Sequence, residues 1–366
     1  MKRLLLLTLV LLFAASAQAV EYRRIGQDYR NLAMGNTGIV TATSSSALFY
    51  NPAALANIFN WWVDFPMAQV EYTKDAKDLY SVVQSGGFNL ETQQEQLDFM
   101  NTYMGSNPHV RVDLGVNAFF PLSDKGSTMG FNYTYEAVLD LAVRNPVAPE
   151  IDAYAKLDHV RQFGFSVPLG LGKWVLGLSA KRVERQALSF NYGLQDALNE
   201  TAFPTLESAG TQGTGIGYDV GLLYRAPSKA RLMYGLVWRQ KIDLGDAGDV
   251  PGELAAGVAS FQDLGFMRWT AALDWRDLTY QQGSPGDRSL SRRTHVGMEF
   301  GFLPLNKTNS LFSLRTGYNQ GYLSTGAEIA LGHAMVLGYT KYTEETGEWA
   351  GQVGSERTII YLSLGF

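Results

Sequence analysis

Val110-Arg-Val-Asp-Leu-Gly-Val-Asn-Ala-Phe-Phe120 is the stretch whose reading decides the fold. Successive side chains of an extended chain point to opposite sides. Val110, Val112, Leu114, Val116, Ala118 and Phe120 therefore share one face, and Arg111, Asp113, Gly115, Asn117 and Phe119 share the other. The next stretch repeats the pattern. Met129, Phe131, Tyr133, Tyr135, Ala137 and Leu139 alternate with Gly130, Asn132, Thr134, Glu136, Val138 and Asp140. Further on, Trp269, Ala271, Leu273 and Trp275 oppose Arg268, Thr270, Ala272, Asp274 and Arg276, and Val296, Met298, Phe300 and Phe302 oppose His295, Gly297, Glu299 and Gly301. Soluble strands run to about 5–6 residues, whereas a strand that crosses a bilayer needs about 9–11. These runs have the longer length. Aromatic residues gather near strand ends on the apolar face, as at Tyr218 and Tyr224, Tyr234 and Trp238, and Trp269 and Trp275. Interfacial girdles have that arrangement.

Working outward, the alternation predicts fourteen strands, over 61–72, 109–121, 127–143, 152–169, 173–190, 215–226, 230–242, 252–262, 267–280, 291–303, 311–319, 322–331, 334–345 and 356–366. The count is even, as bacterial single-chain barrels require. Connections after even strands are short. Those after odd strands are mostly long, with Gln320-Gly321 as the exception. Short turns on one side and long loops on the other are the asymmetry of an outer-membrane barrel. A sandwich has no reason to sort loop lengths by parity. The expected class is all-β: a 14-stranded antiparallel transmembrane β-barrel over 61–366, preceded by a hatch or plug segment over 20–60.

The chain ends point the same way. Lys2 and Arg3, an apolar run over 4–14 and Ala17-Gln-Ala19 form a signal peptide over 1–19, cleaved near Ala19. The last strand alternates Ile360, Leu362, Leu364 and Phe366, and its terminal Phe366 is a candidate assembly signal for the barrel-assembly machinery. No later run is apolar enough for a membrane helix. The expected location is the outer membrane of a Gram-negative bacterium, with its lipid as a partner.

Composition excludes other classes. The 366 residues carry no cysteine, so there is no disulfide framework and no thiol nucleophile. A net charge of −5 without basic blocks argues against nucleic acid. Charged residues are 18%, below the usual share of about 25%, while apolar residues reach 46%. His109, His159, His295 and His333 lie on separate elements without metal-ligand spacing, so no metal or cofactor is expected. Gly213-Thr-Gly-Ile-Gly217 runs into a strand, not a helix, and makes no phosphate cradle. There is no nucleophile elbow. Enzymatic activity is not expected.

The segment before the first strand holds Asn31-Leu-Ala-Met-Gly-Asn-Thr-Gly38 and Ser44-Ser-Ser-Ala-Leu-Phe-Tyr-Asn-Pro-Ala-Ala-Leu-Ala56. Gly35 and Gly38 permit tight turns. Asn51 is a helix cap and Pro52 suits a first helical position. This stretch resembles the N-terminal region of the FadL-type outer-membrane transporters, whose hatch ends in an Asn-Pro-Ala motif, here Asn51-Pro52-Ala53. Fourteen strands match that family's barrel. The resemblance implies passive uptake of hydrophobic small molecules such as long-chain fatty acids, by capture on an apolar outer patch, transfer into the barrel and release through a gap in its wall. Gly35, Gly38, Asn51, Pro52 and Ala53 are then the gate. In the C-terminal third, Arg315-Thr-Gly-Tyr-Asn-Gln-Gly-Tyr322, Tyr342-Thr-Glu-Glu-Thr-Gly347 and Ala350-Gly-Gln352 resemble PorV-like barrels. That implies an alternative role as a secretion accessory with partner proteins, or as a structural barrel.

Two further residue sets follow. Thr92-Gln-Gln-Glu95 is a capping box that starts a helix in the first long loop. On that helix Leu97, Met100, Tyr103 and Met104 share a face and are candidates for hydrophobic capture, or else pack on the barrel rim. The polar face of the strands faces the lumen, with Arg111, Asp113, Glu136, Asp140, Lys181, Asp219, Arg225, Arg239, Asp274, Arg276, Glu299 and Arg315. Mixed signs in a confined space point to paired charges that brace the wall and hold a plug, not to a one-signed ion filter.

Overall fold

The computed structural model describes residues 25–365, apart from 44–45, 85–91, 124, 146–147, 200, 202, 283–285, 306–308 and 333. The expected signal segment and Phe366 lie outside the described residues.

Alternating sequence produces a closed antiparallel barrel of fourteen strands. In chain order these are β1 (Trp62–Thr73), β2 (His109–Pro121), β3 (Thr128–Arg144), β4 (Glu150–Leu169), β5 (Trp174–Gly193), β6 (Thr211–Arg225) and β7 (Leu232–Arg239), then β8 (Glu253–Asp263), β9 (Met267–Trp275), β10 (Thr294–Pro304), β11 (Ser310–Asn319), β12 (Tyr322–Leu331), β13 (Met335–Glu345) and β14 (Gly354–Gly365). Each strand pairs with its sequence neighbours, and β1 closes on β14 with Val70 opposite Ile360. Closure leaves no strand edge to solvent along the paired wall.

The pleat sorts side chains as the alternation requires. Asp113 is 3% exposed and Leu114 is 48% exposed. Odd residues of β2 face in and even residues face out. The outward face carries exposed Phe131, Val220, Leu236, Met298, Ile329 and Ile360. On this face Trp174 lies 4.4 Å from Tyr224, which lies 6.4 Å from Tyr234, so three neighbouring strands share one aromatic row. Connections over 122–127, 170–173, 226–231, 264–266, 305–309 and 332–334 are short and lie at one end. Those over 74–108, 194–210, 240–252 and 276–293 are long and lie at the other, where Gln320-Gly321 remains a tight hairpin.

Several strand boundaries differ from the sequence reading by three or more residues, and three of them have a visible cause. β6 starts at Thr211, because the Gly213-Thr-Gly-Ile-Gly217 run pairs with β5. β7 stops at Arg239, because the chain turns inward at once: Ile242, Leu244, Ala247 and Val250 form a buried cluster with Val183 and Ala187. The glycines of β6 leave the room, since a Cβ on Gly215 would stand 2.4 Å from Ile242 Cγ2. β9 stops at Trp275, because Asp277 and Tyr280 take left-handed backbone with φ of +50° and +55°. The Asp277 carboxylate accepts the N–H groups of Gln281 and Gln282 and organises that loop. Burial pushes its pKa above the ordinary value, against the lowering effect of those N–H groups and of Arg293.

The segment over 25–60 runs inside the wall. It contains α1 (Tyr29–Ala33), α2 (Ser46–Tyr50) and a 3-10 turn, Pro52–Asn57. Leu32, Ile39, Leu48 and Leu55 have no exposed surface. The inner face of the barrel carries glycine where this segment lies closest. A Cβ at Gly177 would stand 2.0 Å from the Ala53 nitrogen, and one at Gly317 would stand 2.2 Å from the Gly35 nitrogen. Gly35 itself has φ +65°, a backbone conformation glycine takes without penalty.

Candidate functional site

Polar groups of the inner wall hold the luminal segment through its backbone. The Asp274 carboxylate accepts the N–H groups of Gly38 at 2.7 Å and Ile39 at 2.9 Å. Arg276 Nη1 donates to Asn36 Oδ1 at 2.9 Å, and Arg239 Nη1 donates to the Phe49 carbonyl at 2.6 Å. Both guanidinium groups also pair with buried Glu253. Gln162 donates to the Leu48 carbonyl at 2.7 Å, and Arg225 donates to the Ala56 carbonyl at 3.1 Å. A chain without its own sheet or long helix must find such partners, because buried backbone groups left unpaired are costly.

Asn51 has the geometry that explains its residue type. Its Oδ1 accepts the Ala53 N–H at 3.0 Å, across Pro52, which has no N–H to offer. Its Nδ2 donates to the Ile39 carbonyl at 2.7 Å. One amide thus caps the 3-10 turn and ties it to the preceding loop. Asn51→Ala is expected to cost about 1 kcal/mol locally. Native-state amide exchange at Ala53 and Ala54 checks this, and unchanged protection there rules it out.

A second polar cluster holds α1 against β10, β11 and β12. Arg30 pairs with Glu299 through two bonds, Nε to Oε2 at 2.9 Å and Nη2 to Oε1 at 2.8 Å. Arg315 bridges Glu299 at 2.5 Å and Glu328 at 2.8 Å. The Tyr29 hydroxyl donates to Glu328 at 2.5 Å, and the Tyr29 ring stacks on Tyr361 at 4.0 Å.

This cluster forms part of the wall of a cavity of about 640 Å3. The cavity lies at the short-turn end of the barrel, between the luminal segment and the wall, and reaches the turn residues Pro227, Ser228 and Asn309. Its lining is divided by topology. Met233 of β7 and Phe261 of β8 are apolar, with Phe59 and Trp62 of the incoming chain. Glu299, Arg315 and Glu328 of β10–β12 are polar. Sites for small organic molecules span about 300–1,000 Å3 and combine apolar walls with a few placed polar groups. The cavity fits that description.

No protein-family model matches the chain, and no curated protein matches it in sequence. Solved structures do match in shape. The chain is similar to the Ralstonia pickettii toluene transporter TbuX, at TM-score 0.58 and 13% identity over 94% of this chain and 99% of that one. It is similar to the CymD monoaromatic hydrocarbon channel, at TM-score 0.53 and 12% identity over 96% and 98%. It is also similar to a Pseudomonas aeruginosa FadL homologue, at TM-score 0.51 and 12% identity over 95% and 99%. The chain has a FadL-like fold.

Within this FadL-like barrel the residues singled out from sequence fall into separate places. Gly35, Gly38, Asn51, Pro52 and Ala53 all lie on the luminal segment. Arg111, Asp113 and Glu136 form one buried group on β2 and β3, with Arg111 Nη2 at 2.8 Å from Glu136 and 3.0 Å from Asp113. Lys156 pairs with Glu136 and, at 3.2 Å, with Asp158, which holds Arg185 at 2.7 Å. Lys181 pairs with Asp219 at 2.8 Å, and Asp140 pairs with His109 at 2.5 Å. Of the luminal charges expected from sequence, Arg225, Glu299 and Arg315 line the cavity; Arg111, Asp113, Glu136, Asp274 and Arg276 do not.

The capping box is present, with the Glu95 N–H on Thr92 Oγ1 at 3.4 Å and the Thr92 N–H on Glu95 at 3.0 Å. The helix it starts, Gln93–Thr102, lies on the barrel rim. Met100 is fully buried with Phe99, Val143, Ile151 and Tyr192. Leu97, Tyr103 and Met104 pack on the same cluster and are partly buried. Met100 therefore offers no free surface in this conformation.

Arg30, Glu253 and Glu328 were missed by sequence reasoning. Glu328 and Glu253 carry the period-two signal of their strands and were findable by extending it. Arg30 has no such signal, because it lies on a one-turn helix whose partner is 269 residues away.

Proposed function

We propose that the protein is a passive outer-membrane channel for small hydrophobic molecules, with the segment over 25–60 as its hatch. The observation that carries this reading is the amphipathic cavity between that segment and the wall of a FadL-like barrel. The outward apolar belt faces lipid in this reading, the short turns face the periplasm and the long loops face outside. The cavity then lies on the periplasmic side of the hatch, and the apolar cluster around Met100 lies at the outer rim. Capture at that rim requires the cluster to open, since Met100 is buried among its neighbours. The named relatives carry toluene and monoaromatic hydrocarbons, and compact aromatic molecules suit a cavity of about 640 Å3. Long-chain fatty acids are the extended variant of the same class. Among the described residues no feature favours the secretion-accessory alternative.

Proteoliposome flux tests the proposal. Naphthalene, loaded at one side, is expected to equilibrate faster with the full chain than in protein-free vesicles. Replacing Asn51-Pro52-Ala53 by three glycines is expected to change that rate. Equal rates with and without protein would sink the reading.

A further inference from the structure

Two exposed arginines interrupt the outward face of the barrel. Towards the long-loop end, the outward positions of β4 pass from Phe165 and Phe163 to Arg161, and those of β5 from Leu178 and Ala180 to Arg182. Their inward neighbours Gln162 and Lys181 are buried. Arg161 and Arg182 are direct cross-strand partners, and Tyr133 of β3 continues their row. Tyr218 of β6 lies one outward step nearer the belt, opposite Ala180. The two arginines therefore stand level with aromatic residues. At about 3.3 Å per residue, Arg182 lies about 26 Å along β5 from Trp174, at the other aromatic row. Strand tilt reduces this to about 20 Å of height, near the outer edge of an apolar band about 25 Å tall. Arginine stems extend the head groups further towards the edge.

Charge decides what this surface takes. Like charges directly opposite on neighbouring strands repel. Glu184 offsets part of the repulsion: its Oε1 meets Arg161 Nη1 at 3.2 Å and Arg182 Nη2 at 2.9 Å. Both guanidinium groups thus converge on one oxygen, and two cations against one carboxylate leave one positive charge in excess. The arginine side chains are 49% and 53% exposed, so donors remain open to the outside. His159, opposite Glu184, is engaged by Tyr133 and Tyr135 and brings no further acid. A phosphate supplies several acceptor oxygens to guanidinium forks and matches the excess charge. Basic side chains at the membrane surface take lipid head groups in this way. A lipid phosphate has an advantage over a free one, because its acyl chains lie against Phe163, Phe165 and Leu178 and hold it at this height.

We infer that Arg161 and Arg182 form a docking site for the phosphate of an outer-leaflet lipid, with its acyl chains on the apolar face of β4 and β5. A phosphorylated glycolipid of the lipid A type is the class. The inference goes beyond the channel reading and shares with it only the placing of the long loops outside.

Native mass spectrometry of the full chain in detergent tests this by counting bound lipid. The probes are bis-phosphorylated lipid A, its dephosphorylated form and phosphatidylglycerol, with inorganic phosphate as competitor. Lipid A is expected to bind about tenfold tighter than the dephosphorylated form, the scale of one charge-assisted hydrogen bond. Arg161→Gln with Arg182→Gln is expected to abolish that preference. Lys341→Gln, which removes an exposed cation on β13, five strands from β4, is expected to leave it unchanged. Glu184→Gln removes the competing carboxylate and is expected to tighten lipid A several-fold, which a merely structural ion pair would not do. Equal binding of the two lipid A forms, a preference that survives the double substitution, or phosphatidylglycerol binding as tightly as lipid A would each overturn the inference. Displacement of lipid A by millimolar inorganic phosphate would overturn the lipid as the source. If the double variant fails to fold, Glu184→Gln and the order of the three lipids decide. Orientation is read separately. The chain has no cysteine, so Leu290→Cys on an exposed long loop gives one thiol for an impermeant maleimide on intact cells. Labelling without a lipid A preference overturns this inference alone, and absence of labelling overturns the placing of the loops beneath it.

Discussion

Valine at both Gly177 and Gly317 is expected to open the barrel to polar solutes. At each position the nearest atoms to an added Cβ belong to the luminal segment. They are the backbone of Pro52 and Ala53 at 2.0–2.4 Å and the backbone of Met34 and Gly35 at 2.2–2.7 Å. Backbone cannot rotate away as the end of a side chain can, so the segment must leave its seat. The wall keeps its strand pairing, because the clash is with the segment. A barrel of eight strands is filled by its own side chains, and one of sixteen leaves a water channel. Fourteen strands without their luminal segment lie near the open end of that range. Arabinose influx into proteoliposomes is expected to rise by an order of magnitude, while heat-modifiable migration persists. A doubly substituted barrel as tight as the parent would show that the segment does not seal the lumen.

Glu253→Ala is expected to be the most destabilising single substitution among those considered. Glu253 is 3% exposed and neutralises two buried guanidinium groups, with Arg276 bonded at 3.0 and 3.2 Å and Arg239 on the same carboxylate. It also accepts the Asp277 N–H at 3.2 Å. Removing one partner of a buried pair costs roughly 3–5 kcal/mol, because the remaining charge is left uncompensated. Urea unfolding from lipid vesicles measures the loss. The effect extends to the luminal segment, since Arg239 and Arg276 hold the Phe49 carbonyl and Asn36. Protease cleavage within 25–60 is expected to accelerate in the same variant. A cost below about 1 kcal/mol would mean that water reaches both arginines and that the pairing contributes little.

Legibility varied with the range of the interaction that sets each feature. The strands over 109–121 and 127–143 were readable because alternation is local and uninterrupted there. β7 was read too long, because its end is set by a loop that folds back onto the glycines of β6, and no residue of 230–242 signals that contact. The Gly213-Thr-Gly-Ile-Gly217 run enters a strand, as its sequence context indicates. Its positive role, a bare inner face for Ile242 and Leu244, needed coordinates. Arg111, Asp113 and Glu136 were placed on one face by period two. Their joining by Lys156, from a third strand, depends on the register of β3 with β4.

The sequence by itself determined what period, spacing and composition encode. Side-chain alternation set which face is polar, loop parity set which end is which, and Asn51-Pro52-Ala53 set a capped turn. Each rests on neighbours within a few residues, or on a repeat the chain displays openly. Only the tertiary structure decided where the luminal segment sits and which glycines make room for it. Those features arise where residues far apart in the chain are brought within hydrogen-bond range by barrel closure, as Arg30 meets Glu299 and Arg315 meets Glu328. Hydrogen bonding is short-ranged and directional, so its partners are settled by register and closure and carry no periodic trace in the sequence.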